Sequence, residues 1–425
     1  MPIFEASAHF MECAGAFPPR TQAYGVRRRP NQKTHVDSPV TAAFSSIAAL
    51  LLSVLMLIGG NSLVGIVTPL RAHIEGFPDL TVGLLGSVYF AGMLAGTLAA
   101  PAIIRRGGHI RAYAAFVALA VVSVILMPVI VSPWAWLGCR GLIGFVFAGL
   151  YAVIEAWINA KATNANRGVL YALYQIANFA ASGSGQLALK PLGAGGFSAF
   201  AVSGALLALA IVPMAMTSVD PPAQPRSVRP RLLWLVRKAP IPCFAVLAAG
   251  AANGAQFALG PVFAVGIGMS PTSAPLFTSS IVLGSALGVL PIAAISDRID
   301  RRLVIAAVTI AGAACETALS RLTAPGVGLI VLGFLVGLTT YSLYTLAVSL
   351  ANDDGAPHDL IFISVGLLFI YCVAAIVAPA IASVLMKDFG PQTLFLQNAY
   401  VHLAIAALAL WGALARPRRT ATKPS

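Results

Sequence analysis

Residues 142–151 read LIGFVFAGLY, and residues 335–344 read LVGLTTYSLY. The offset of 193 aligns Gly144 with Gly337 and Tyr151 with Tyr344. At an offset of 192, Asn61 aligns with Asn253, Pro69 with Pro261, and Gly92 and Gly96 with Gly284 and Gly288. Coincident leucines or alanines would mean little in so apolar a chain. Asn, Pro, Gly and Tyr recurring at one steady offset indicate an internal duplication.

The repeat lies in sequence suited to lipid. Of 425 residues, 58% are hydrophobic and only 10% charged, against about 25% charged in a soluble domain. A membrane helix needs about 20 mostly apolar residues. Twelve segments qualify: 44–69, 80–103, 111–132, 134–158, 167–189, 195–216, 241–266, 273–295, 302–320, 325–350, 360–386 and 392–415. Each repeat pair falls on equivalent segments: first with seventh, second with eighth, fourth with tenth. The expected organisation is a tail (1–40), a six-helix bundle (41–216), a Pro-rich basic linker (217–240), a second six-helix bundle (241–416) and a short tail (417–425). The fold class is therefore all-α membrane protein, with two pseudo-symmetric six-helix bundles.

An even number of spans puts both ends on one side, and charge says which. Of 27 Lys and Arg, 22 fall in the two tails and the connections that share their face. The other face holds Arg71, Lys190, Arg321 and Lys387, and Arg140 lies inside a span. This asymmetry predicts cytoplasmic termini by the positive-inside rule. It also accounts for the net charge of +13 without nucleic acid as a partner. Residues 1–40 hold no long apolar core and do not read as a cleavable leader. The five cysteines have no metal or redox spacing and read as small core residues. No cofactor is expected.

Several motifs resemble the major facilitator superfamily. Its signature, Gly-x-Leu-x-Asp-Arg-x-Gly-Arg-Arg, recurs after the second and eighth helices. Here AAISDRIDRR (293–302) keeps Asp297, Arg298, Arg301 and Arg302, with Ala293 and Asp300 in the glycine positions. The first copy, PAIIRRGGHIR (101–111), keeps Arg106 and Gly108 but has Arg105 where the aspartate belongs. A fourth-helix Arg followed by Gly appears as Arg140 and Gly144. The stretch LYAVIEAWINAKATNANRGVLYALYQIANF (150–179) is similar to the YcaD-type branch. The resemblance implies alternating access around a midplane site between the repeats. It also implies a latch made by the Asp297–Arg302 cluster in the outward-facing state.

Polar residues in the spans are the functional candidates, because they are costly in lipid unless paired or wet. At about 100° per residue, Arg140, Gly144, Phe147, Tyr151 and Glu155 share one stripe of the fourth helix. The tenth helix repeats that stripe without charge, with Gly333 for Arg140, Tyr344 for Tyr151 and Val348 for Glu155. Arg140 contacts a substrate anion or senses a proton, or else it packs against backbone carbonyls. Tyr171, Gln175, Asn178, Ser182 and Gln186 line one face of the fifth helix, towards a hydrated cavity or a neighbouring helix. Asn61, Asn253 and Gln256 fall mid-span and suggest a pseudo-symmetric site. Tyr341 and Tyr344 would add aromatic walls. Glu155 lies about 13 Å from the middle of its helix, near the cytoplasmic boundary. There it reads as a gate residue, with Arg106, Arg111 or Arg167 as partner.

Asp353, Asp354 and Asp359 are expected to pair with basic residues on the same face. Glu316 is expected to snorkel near Arg321, and His402 stands alone. The sequence thus reads as a secondary transporter of a small solute in a bacterial inner membrane, coupled to protons and working as a monomer. The alternatives are an efflux antiporter of the same fold, a membrane-embedded enzyme, or a non-transporting sensor. The enzyme would need clustered catalytic side chains, and the sensor a signalling domain. The chain has no phosphate loop to drive a pump with ATP.

Overall fold

The computed structural model describes residues 39–162, 166–215, 230–353, 355–356 and 359–415. Both tails, most of the central linker and Asp354 lie outside these residues, and with them the expectations made for those segments. Twelve long helices run through the rest. The first six are α1 (Pro39–Ile74), α2 (Asp79–Gly107), α3 (His109–Val129), α4 (Pro133–Lys161), α5 (Arg167–Leu187) and α6 (Ser198–Leu209, extended by Ile211–Ala215). The second six are α7 (Pro240–Gly266), α8 (Ala274–Ser296), α9 (Arg301–Leu319), α10 (Val327–Thr340 and Leu343–Asp353), α11 (Leu360–Phe389) and α12 (Thr393–Leu414). Among the described residues, eleven of these are long and apolar enough to cross a membrane. The twelfth, α5, has the length but carries the polar stripe that lowers its hydropathy.

The duplication is visible atom by atom. Where α1 and α7 end, Gly76 and Gly268 both adopt positive φ, 72° and 99°. Phe77 N–H donates to the Ala72 carbonyl at 3.0 Å, and Met269 N–H to Ala264 at 3.0 Å. Each is a glycine-stopped helix end whose orphan carbonyl is bonded by the chain beyond the glycine.

Packing repeats as well. A Cβ at Gly92 would lie 1.9 Å from the Gly141 oxygen, one at Gly96 2.2 Å from that of Phe145, and one at Gly144 1.9 Å from that of Tyr89. In the second bundle Gly284, Gly288 and Gly337 give 1.9, 2.2 and 1.9 Å against Phe334, Leu338 and Ile281. So α2 and α4, like α8 and α10, touch backbone to backbone, which only glycine permits. These glycine pairs are packing surfaces, as their spacing suggested.

One signature position changes its job. Gly108 ends α2 with φ of 78°. Its counterpart Asp300 instead caps α9, its carboxylate accepting from Arg302 N–H at 2.9 Å. This satisfies an orphan donor at the helix start and explains an aspartate where the signature has glycine.

We call the end carrying the α2–α3, α4–α5, α8–α9 and α10–α11 connections the linker pole. The named contacts between the bundles lie at mid-depth or towards the opposite pole. Gly83 and Gly86 of α2 face Ser383 and Pro379 of α11 and Ala258 of α7, and Gly65 faces Phe257. Ser279 of α8 donates to the Gly183 carbonyl and the Gln186 amide oxygen of α5, at 3.3 and 3.5 Å.

Candidate functional site

A cavity opens on this seam, bounded by α1, α5, α7, α8 and α10, with about 700 Å³ of empty space including its mouth. Its wall includes Ser62, Gln186, Gln256 and Tyr341, with Phe179 and Phe257 as apolar faces. The polar stripe of α5 turns towards this seam. Ser62 donates to Ser182 at 3.1 Å, and Gln186 accepts from Ser279. Asn178 is buried, while Tyr171 and Gln175 are half-buried. Asn253 and Gln256 are each 3% exposed; the Asn253 side chain meets Tyr371, whereas neither polar atom of the Gln256 amide has a partner among the described residues.

α10 is interrupted beside the cavity, at Tyr341–Ser342, close to the middle of the span Val327–Asp353. The cause is local. Thr339 and Thr340 turn their hydroxyls back onto the Leu335 and Val336 carbonyls, both at 2.8 Å, and such back-bonding bends helices. The break brings Tyr341 to the wall.

Arg140 stands one layer back from this wall. Its guanidinium lies over the Tyr89 ring, 4.6 Å from the centroid. Its Nε donates to the Leu85 carbonyl at 3.5 Å, and its Nη1 has no partner among the described residues. The Tyr89 hydroxyl accepts from the Asn61 amide at 3.3 Å, and its ring packs 5.7 Å from Phe257. Asn61, Tyr89 and Arg140 thus form one chain that reaches the cavity through Phe257. Sequence reasoning missed Tyr89, because its repeat partner is the apolar Ile281. The signal was its place one helical turn before Gly92, on the face that meets α4.

Glu155 is 6% exposed. Tyr151 and Tyr174 lie within electrostatic range of it, and Tyr171 within range of Tyr174. On α10, Tyr344 packs edge-on against Tyr371, with centroids 5.4 Å apart. Its position beside apolar Val348 leaves the second bundle without the acid that α4 carries.

Two of the expected gate residues, Asp297 and Arg301, meet directly. Arg301 bonds Asp297 and Asp353, both at 2.9 Å, and the Ser296 hydroxyl at 2.8 Å. Arg302 donates to the Gly412 carbonyl at 3.2 Å, and Lys238 pairs with Asp359. These contacts stay within the second bundle and the short linker helix Leu232–Lys238 that precedes it. Arg106, Arg111 and Arg298 are exposed. Asp353 and Asp359 do meet basic partners.

Glu316 departs from its expected place. It is fully buried, not snorkelling towards Arg321, and its carboxylate meets Nδ1 of buried His402 at 2.7 Å. Nor does His402 stand alone. The carboxylate is too deep in the α9–α12 contact to reach the interface, and the imidazole supplies the partner that a buried charge requires. The two are 86 residues apart, so spacing within either helix could not reveal the pair.

Two repeated bundles of membrane helices, closed on one pole around a seam cavity, define a transporter fold. The family model described as Major Facilitator Superfamily matches residues 50–242 and again 242–425. The chain belongs to the major facilitator superfamily, and is a multi-pass membrane transporter of that family. It is 26% identical over 361 residues to the "Uncharacterized MFS-type transporter YcaD" of Salmonella enteritidis PT4 (strain P125109), covering 84% of this chain and 92% of that relative. Its fold resembles the nucleoside transporter NupG, with TM-score 0.70 and 13% identity over 87% of this chain and 99% of that one. It also resembles a bacterial homolog of the human lysosomal transporter Spinster in an inward-facing and occupied conformation. There the TM-score is 0.71 and the identity 13%, over 89% and 98% of the two chains.

Proposed function

We propose that the chain is a secondary active transporter that moves a small solute across a bacterial inner membrane by alternating access, coupled to protons. The observation that carries this reading is the seam cavity, with the unmatched Gln256 amide in its wall. In repeat-built transporters, substrate sites lie near mid-depth at the repeat interface.

The concentration of Lys and Arg at the linker pole supports placing that pole, and both termini, in the cytoplasm. The bundles then touch on the periplasmic side, and this conformation opens inward. Rocking the bundles would part the Gly83–Ser383 and Gln186–Ser279 contacts and bring the linker-pole charges together. In that state Asp297, Arg298, Arg301, Arg302 and Arg106 act as the latch. Glu155, buried among tyrosines, couples proton binding to the movement, and Arg140 supports the site through Tyr89. Asn61, Asn253, Gln256, Tyr151, Tyr171, Gln175, Asn178 and Tyr344 form the pathway.

The test compares metabolite pools in a strain lacking the gene and a strain overproducing the protein. At least one solute is expected to move in opposite directions in the two strains. Unchanged pools in both, with no change in toxicant sensitivity, overturn the transporter reading.

A further inference from the structure

We propose that the cavity takes an uncharged, hydrogen-bonding solute with a flat or apolar ring face, a class that includes nucleosides and sugars in their neutral forms. This rests on the transporter reading above and specifies its cargo. Three features of the wall carry it.

None of the described residues lining the cavity is charged. An ion moved from water into such a site without a counter-ion is strongly disfavoured. Arg140 is not one of the lining residues; its guanidinium lies against Tyr89, whose ring packs on Phe257. The wall therefore selects against net charge.

Gln256 supplies the recognition. Its side chain is buried, borders the cavity, and leaves both amide nitrogen and amide oxygen without partners. Turned towards the cavity, this carboxamide is completed by a ligand that both donates and accepts, as a hydroxyl or a nucleobase edge does. Around it are Ser62, Gln186 and Tyr341, all uncharged. The interrupted turn of α10 adds the Ser342 hydroxyl nearby in sequence, 1% exposed and likewise unpartnered.

Phe179 and Phe257 supply the third feature. They present ring surface to the cavity, against which the apolar face of a ring can stack.

The experiment uses the purified full-length protein and matched probes that differ in charge: uridine against uridine 5′-monophosphate, and D-glucose against D-glucuronate and D-glucosamine. A ligand that binds only the folded state raises the melting temperature by mass action. A neutral probe is expected to raise it while its charged partners do not. Gln256→Leu is expected to abolish that shift and leave the ligand-free melting temperature unchanged or higher, because the substitution removes an unmatched amide. If Gln256→Leu does not fold, Tyr341→Leu takes its place, with the same loss of shift expected.

A shift from a charged probe but not its neutral partner overturns the proposal and brings Arg140 into recognition. No shift from either neutral probe, or a shift that survives in the variant, also overturns it. The strain comparison reads transport whatever the charge of the solute. Changed pools with a failed probe panel therefore refute the cargo class alone, whereas unchanged pools refute the transporter reading.

Discussion

The two bundles began as copies and now differ in chemistry while agreeing in mechanics. The glycines that let α2 meet α4 and α8 meet α10 give the same close distances in each half, and the turns at Gly76 and Gly268 share their hydrogen bonds. Between these fixed points the halves diverge. α4 is continuous and carries Arg140 and Glu155. α10 has Gly333 and Val348 in their places and is interrupted just after Thr339 and Thr340. Where Arg140 lies over Tyr89, a Cβ at Gly333 would meet the Ser280 hydroxyl at 2.7 Å and Phe277 at 2.9 Å. The second bundle has filled with aromatic packing the space that the first gives to a guanidinium. Duplication kept what sets helix distance and freed what sets chemistry.

The strongest way to break this comparison is to disturb the shared part. A leucine at Gly144 or Gly337 would force side-chain atoms into a backbone carbonyl already 1.9 Å from the Cβ position. Neither pair of helices can relax without losing its interface. We expect both variants to lose monodisperse protein in size-exclusion chromatography of detergent extracts, and to similar degrees. If one bundle tolerated the change, the two clamps would not be mechanically equivalent.

The next effect belongs to the second bundle alone. Glu316 and His402 hold α9 to α12 at full burial. At the offset of 192 the residue at the repeat position of Glu316 is Val124, apolar and fully buried. Removing one member of a buried pair strands the other, at about 3–5 kcal/mol. Glu316→Ala and His402→Ala should each lower the melting temperature sharply. The double replacement Glu316→Leu with His402→Leu should recover much of the loss, since no polar group is then left unmatched. An additive double variant would mean that the two side chains are not coupled.

That pair also marks where the sequence stops being legible. Span number and the repeat were readable because lipid imposes a length and duplication imposes an offset. The helix ends followed closely: 241–266 was expected where α7 spans Pro240–Gly266. The gate arginines were readable as charge but not as geometry, since Arg301 chooses Asp353 across 52 positions. Glu316–His402 and Tyr89–Arg140 are meetings between different helices. Their cause is helix rotation and depth in the assembled bundle, and no periodicity within one segment encodes that. The break at Tyr341 was missed for a different reason. The residues around it are apolar enough to continue a span, and no glycine or proline marks the interruption.

The smallest structural effect, and the one that sharpens the comparison most, concerns Arg140. It is 2% exposed and only partly satisfied, so its charge is retained at a cost to folding. Arg140→Gln should leave the melting temperature unchanged or raise it slightly, because an incompletely matched buried ion is worse than a neutral amide. If Arg140 were only a packing residue, transport would survive Arg140→Gln and Arg140→Lys alike. On our reading Tyr89 holds its ring, and through Phe257 the cavity wall, in place under a planar guanidinium that lysine does not reproduce. Solute uptake or export, measured as the change in pool size in cells producing each variant, should therefore fall for both. A stable protein with lost transport would place the working asymmetry of the two bundles at this one position.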